Sequence, residues 1–69
     1  MNSLRSDSSL TDRIRAEYRE APALRLTVAQ AARFWGIDPV RCAEALDKLC
    51  AIGFLLRTAD GSYRVAEHP

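Results

Sequence analysis

TVAQAARFWGIDPVRCAEALDKLCAIG, residues 27–53, reads as two short helices joined by a tight turn. Thr27 can cap the first helix. Its hydroxyl accepts from the backbone N–H three residues on, while the Gln30 side chain reaches back to the Thr27 N–H, the reciprocal T-x-x-Q capping box. Gly36 stands where that helix must stop, because a residue without a Cβ can take the left-handed conformation that closes a C-terminus. Asp38 offers a second N-cap, and Pro39 occupies the first helical position, where a missing N–H costs nothing. Gly53 is placed to end the second helix as Gly36 ends the first. Helices of roughly eight and fourteen residues, about three residues apart, fit helix-turn-helix spacing.

The two helices divide cleanly into faces. In the first, Val28, Ala31, Ala32 and Trp35 share one side and Ala29, Gln30 and Arg33 the other. Small alanines allow a neighbouring helix to come close. Trp35 is expected to be the largest single contributor to the core, since a buried aromatic removes ~150–250 Å² from water. Phe34 projects beside this stripe and is expected to pack under the preceding helix; standing exposed, it would mark a partner surface. In the second helix Cys42, Ala45, Leu46, Leu49 and Cys50 point inward. Val40, Arg41, Ala43, Glu44, Asp47, Lys48 and Ala51 point outward.

Upstream, Leu10, Ile14, Tyr18 and Ala21 recur at spacings of three and four, with charged residues around the rest, which predicts a helix packed across the back of the pair. Ser9 can cap it, with Asp12 in its first turn, and Pro22 ends it. Residues 1–8 are mostly Ser, Asn, Asp and Arg and cannot bury enough apolar surface to offset their ordering entropy, so a mobile arm is expected there. Its Arg5 could enter a minor groove. Arg25 and Leu26 can form a brief strand before the Thr27 cap.

Downstream, Phe54, Leu55 and Leu56 open a strand that Arg57 and Thr58 continue. Asp60-Gly61 supplies a turn in which both central residues can take positive φ, and Ser62, Tyr63, Arg64 and Val65 run back antiparallel. A hairpin of about five residues per arm over 54–65 is the expectation. Residues 67–69 read as a frayed end. The fold class is therefore mostly α with a small β-hairpin, in one domain over 9–66.

Composition excludes several functions. A chain of 69 residues buries only ~60% of the surface its unfolded form exposes, so its stability is marginal. Cys42 and Cys50 lie on one predicted helix, ~12 Å apart at 1.5 Å rise per residue, too far for an intramolecular disulfide. Both read as reduced, small hydrophobes. With one histidine, His68, and no C-x-x-C pair, no metal site can be assembled, and nothing calls for a cofactor. Residues MNSLRSDSS lack an apolar core, and no run of ~18 apolar residues exists, so no membrane contact and a cytoplasmic location are expected. Catalysis needs convergent titratable groups. His68, Cys42 and Tyr63 fall on a tail, a helix and a strand, and an enzyme is not expected.

The order helix, short strand, helix, turn, helix, hairpin resembles the three-helix winged helix-turn-helix of MarR-like and related small bacterial transcription regulators. The resemblance is carried by LTVAQAA (26–32), WGID (35–38), ALDKLCAIGFLLR (45–57) and DGSYRV (60–65). It implies a DNA-binding regulator whose second motif helix, 39–52, lies in the major groove, with the hairpin as a wing on phosphates or the adjacent minor groove. Val40, Arg41, Glu44, Asp47 and Lys48 would face the groove, and Arg57 and Arg64 would sit on the wing. Thr27 and Gln30 would lie near phosphate at a helix N-terminus, where the dipole favours anions.

Charge tempers that implication. Nine arginines and one lysine face nine acids for a net +1, and the groove helix carries Arg41 and Lys48 against Asp38, Glu44 and Asp47. A single unit should bind double-stranded DNA no tighter than the ~10⁻⁴ to 10⁻⁶ M of non-specific contact. Specific operators generally need two units, hence a homodimer or a partner protein. The alternative is a winged helix used for protein interaction or dimerisation without strong DNA binding, through Phe34, Val40 and Ile52.

Overall fold

Local chemistry forms the helix ends of the 27–53 stretch. Thr27 accepts the Gln30 N–H at 3.2 Å, and the Gln30 Oε1 accepts the Thr27 N–H at 3.0 Å, completing the capping box. Gly36, at φ 64°, closes that helix with its N–H on the Ala32 carbonyl. One carboxylate oxygen of Asp38 accepts from Val40 N–H at 3.1 Å and Arg41 N–H at 3.2 Å, with Pro39 at the first helical position. The far end of the second helix is capped by Ile52, and Gly53 at φ 84° follows it. Gly53 N–H reaches the Cys50 carbonyl and Phe54 N–H the Leu49 carbonyl, the paired closure that requires a left-handed residue at Gly53.

The computed structural model describes the backbone of residues 2–66 and the side chains of residues 9–66. The elements are α1 (Asn2–Glu20), α2 (Val28–Trp35), α3 (Pro39–Ala51), β1 (Leu55–Arg57) and β2 (Tyr63–Val65), mostly helical with one antiparallel hairpin. α1 starts before Ser9, which is therefore not its cap, and Asp12 lies inside the helix. Once a helix is nucleated and held at Ile14 and Tyr18, each further residue adds a hydrogen bond at little cost, and no proline intervenes. Ala21 falls just beyond the end of α1 and is exposed. The expected arm, with Arg5, concerns side chains outside the described residues, as does the expected fraying of 67–69.

The core joins Ile14 and Tyr18 of α1, Ala31, Ala32 and Trp35 of α2, Cys42, Ala45, Leu46 and Leu49 of α3, and Leu55 and Tyr63 of the hairpin. Tyr18 and Trp35 meet with ring centroids 6.2 Å apart. Trp35 keeps 8% of its surface exposed, and its indole N–H has no hydrogen-bond partner among the described residues. Tyr18, not Trp35, is the largest side chain that the fold encloses completely. Phe34 does not pack under α1: it is 61% exposed, its ring 5.6 Å from that of Trp35. With positions 31, 32 and 35 turned to the core, the 100° step of the helix leaves position 34 on the rim.

The hairpin pairs Leu55 with Val65, Leu56 with Arg64 and Arg57 with Tyr63, three residues per arm and not five. Its loop also differs from the expected two-residue turn. Thr58 N–H bonds the Ser62 carbonyl at 2.8 Å and Gly61 N–H the Thr58 carbonyl at 3.0 Å. Among the described residues no residue other than glycine has positive φ, so Asp60 does not, and Gly61 alone supplies it at 88°. This is the three-residue loop in which a turn is followed by a left-handed glycine. Keeping Asp60 right-handed lets its carboxylate accept the Thr58 hydroxyl and the Ser62 N–H, bonds that hold its carboxyl below the usual carboxylate range.

The brief strand expected at Arg25 and Leu26 reduces to a bridge at Leu26. Its N–H and carbonyl both bond Tyr63, at 3.3 and 2.7 Å, so β2 lies between β1 and Leu26. The buried Tyr18 hydroxyl donates to the Tyr63 carbonyl at 2.9 Å, fastening α1 to the same residue. Among the described residues no helix is long and apolar enough to cross a membrane.

Tyr18→Phe should lower stability by about 1 kcal/mol at neutral pH, the net worth of one hydrogen bond, read by urea unfolding. Burial pushes the Tyr18 phenol up from 10.0 to about 12. A group raised in the folded state stabilises fully below its unfolded pKa and loses that contribution as pH climbs through the folded one. The parent should therefore lose its advantage over Tyr18→Phe between pH 10 and about 12. A variant as stable as the parent at pH 7 would show that the bond does not tie α1 to the hairpin.

Candidate nucleic-acid interface

α3 carries the expected outward residues because its other side is consumed by packing. Cys42, Ala45, Leu46 and Leu49 are buried, and Val40, Arg41, Glu44, Asp47 and Lys48 are exposed. Arg41, Glu44 and Lys48, at spacings of three and four, form a row along the helix. That row is not open on every side. Leu10 and Thr11 of α1 line a shallow crevice with Arg41, Glu44, Ala45 and Lys48, and Leu10 shares a second one with Ile37, Asp38 and Arg41. α1 thus forms a wall along one edge of the row. The signal for it was the continuation of the Ile14 and Tyr18 stripe one turn back to Leu10, but spacing along α1 does not say where on α3 that turn lands.

Asp47, exposed on the outward face as expected, also makes a contact that sequence spacing does not give. The Tyr63 hydroxyl donates to its carboxylate at 3.1 Å, bracing β2 against α3. Burial, followed by this bond, pushes the Tyr63 phenol above its ordinary value. The Arg57 guanidinium lies over the other part of the same brace, 5.9 Å from the centre of the Tyr63 ring. Such a cation over an aromatic face is worth ~0.5–1 kcal/mol at an exposed site.

Arg57 and Arg64 are not brought together. Register pairs Arg57 with Tyr63 and Arg64 with Leu56, and successive residues of a strand face opposite sides. Arg57 therefore shares the side of Leu55 and Tyr63, while half-buried Arg64 is on the reverse and engaged in a contact of its own. Thr27 and Gln30 are committed to each other in the capping box, where they satisfy two of the free N–H groups at the α2 N-terminus. What remains for a ligand there is the backbone N–H groups of Val28 and Ala29, which have no acceptor within the helix, the exposed Gln30 amide nitrogen and the helix dipole.

The arrangement offers charge and hydrogen bonding. Cys42 is buried and Cys50 half-buried, both are free, and burial raises both thiols, which disfavours the reactive thiolate. Among the described residues no group of three or more His, Cys, Asp or Glu side chains could hold a metal ion; His68 lies outside them. No family model, curated protein or solved structure matches the chain. Its chemistry is read from its own residues.

Asp47→Asn keeps an oxygen to accept from Tyr63 and removes a negative charge from the outward face of α3. It should cost no more than about 1 kcal/mol, the difference between a charged and a neutral acceptor. Asp47→Ala should in addition speed hydrogen exchange at the backbone amides of residues 63–65 relative to Asp47→Asn. Equal protection in the two variants would remove the bracing role.

Proposed function

We propose that this chain is a small winged-helix DNA-binding protein acting as an intracellular transcription regulator, with α3 in the major groove and the hairpin 54–65 on the backbone or minor groove. The observation that carries the reading is α3 itself: one face is sunk into the core, and the other presents Arg41, Glu44 and Lys48 to solvent beside a hairpin braced through Tyr63 and Asp47. The bridge from Leu26 to β2 supports it further, because it adds the short strand that the winged arrangement calls for.

In this reading Arg41 pairs with a guanine edge, Glu44 accepts from a cytosine amine, and Val40 makes apolar contact with a thymine methyl. Lys48, Arg57 and Arg64 neutralise phosphates, and Thr27 and Gln30 orient the α2 N-terminus toward one. Glu44 and the charge on Asp47 oppose the phosphate field. A single copy binds weakly, and a sequence-specific site takes two copies or a partner.

One observation favours a second reading. Phe34, Val40 and Ile52 stand 61%, 65% and 64% exposed, which suits docking on a protein or on a second copy. Fluorescence anisotropy with random duplex DNA separates the two. At ~50 mM salt binding should fall in the ~10⁻⁴ to 10⁻⁶ M range and weaken steeply on raising salt. Lys48→Ala, which removes a phosphate contact, should lower the salt slope by about one, with the melting temperature unchanged. Absence of binding at low salt would overturn the DNA reading, and a scattering mass would then tell a self-associating domain from one awaiting another protein.

A further inference from the structure

The groove between Arg25–Leu26 and α2 shares only Gln30 and Phe34 with those readings. Arg25 and Leu26 line one part of this wide, open depression, and Gln30, Arg33 and Phe34 line the rest. The last three share one side of α2 because they are spaced by three and four. No acid lines it. Residues 21–37 contain Arg25 and Arg33 and no Asp or Glu, while elsewhere eight basic residues are outnumbered by nine acids. Net charge is therefore +2 over residues 21–37 and −1 over the rest of the chain.

We infer that this groove docks an acidic segment of a partner protein that carries a large apolar side chain among its carboxylates. Arg25 and Arg33 are both exposed, and neither makes a hydrogen bond or ion pair among the described residues. Phe34, next to Arg33, is 61% exposed, and its ring is tilted against that of Trp35 with centroids 5.6 Å apart. Leu26 is fixed by its two backbone bonds to Tyr63. An apolar surface shared with two guanidiniums that have no partner among the described residues matches a ligand with an apolar anchor among carboxylates. A DNA backbone would satisfy the arginines and leave Phe34 and Leu26 against a polar rail, so the apolar half of the groove favours a peptide. The inference holds whether or not α3 binds DNA.

The test is an NMR titration of the isotopically labelled full chain with a synthetic peptide of glutamates around a central Leu-Phe pair. Its lysine counterpart and a random DNA duplex are the controls. The acidic peptide should shift the amides of Arg25, Gln30, Arg33 and Phe34, and the lysine peptide should not. Arg33→Glu should weaken binding by roughly tenfold or more, since like charges then face each other, and Phe34→Ala should weaken it with the charges intact. Both sites are exposed, so melting temperatures should hold. The inference fails if the acidic peptide shifts nothing or shifts α3 instead, or if Arg33→Glu binds as the parent does. It also fails if DNA shifts the groove amides and the peptide does not. Loss of the DNA reading would register separately, as a duplex that leaves Arg41 and Lys48 unmoved.

Discussion

The hydrogen bond from the Tyr18 hydroxyl to the Tyr63 carbonyl spans 45 positions of sequence and lies in the core. Two strands of three residues each do not hold their place alone, so the hairpin must take its orientation from what it touches. Tyr63 supplies the polar part of that: its backbone pairs with Leu26, its carbonyl receives α1, its hydroxyl reaches Asp47 on α3, and its ring carries Arg57. Every helix either contacts this residue or is capped next to the segment that does. The position of the hairpin beside α3, on which any use of the two as one surface depends, is therefore set by Tyr63 together with the burial of Leu55 in the core.

Features written within four residues of sequence were legible. Thr27 with Gln30, Asp38 with Pro39, and the glycines at 36 and 53 close helices through bonds to near neighbours, and nothing distant competes with them. Ser9 failed as a cap for the complementary reason: its local preference is worth only ~1 kcal/mol, and a helix already anchored at Ile14 and Tyr18 can run through it. Asp60-Gly61 is compatible with two loop types. The longer one won because it gives the Asp60 carboxylate two donors, Thr58 and Ser62, that a two-residue turn would not align.

The candidate site was legible as a list and not as an arrangement. Helical periodicity alone exposes Val40, Arg41, Glu44 and Lys48, and so it did. The bond of Asp47 to Tyr63 was not legible because the partner lies 16 positions away on another element. The two hairpin arginines were grouped because register was unknown, and in a strand a shift of one residue exchanges faces. The groove at Arg25 and Arg33 escaped for a third reason: the two arginines are joined through the Leu26 bridge, and no helical or strand period relates them.

Gln30 belongs to both proposed surfaces, and this constrains how they can be used together. Its Oε1 is already occupied by the Thr27 N–H, so only its amide nitrogen can donate outward. A phosphate at the α2 N-terminus and a carboxylate in the groove would both approach that one planar group. Two anions within ~4–6 Å of each other repel appreciably near a protein surface. Occupancy of the groove by an acidic segment therefore opposes phosphate contact at α2, while leaving Arg41 and Lys48 on α3 untouched. On these residues alone, a partner in the groove weakens backbone contact more than base reading.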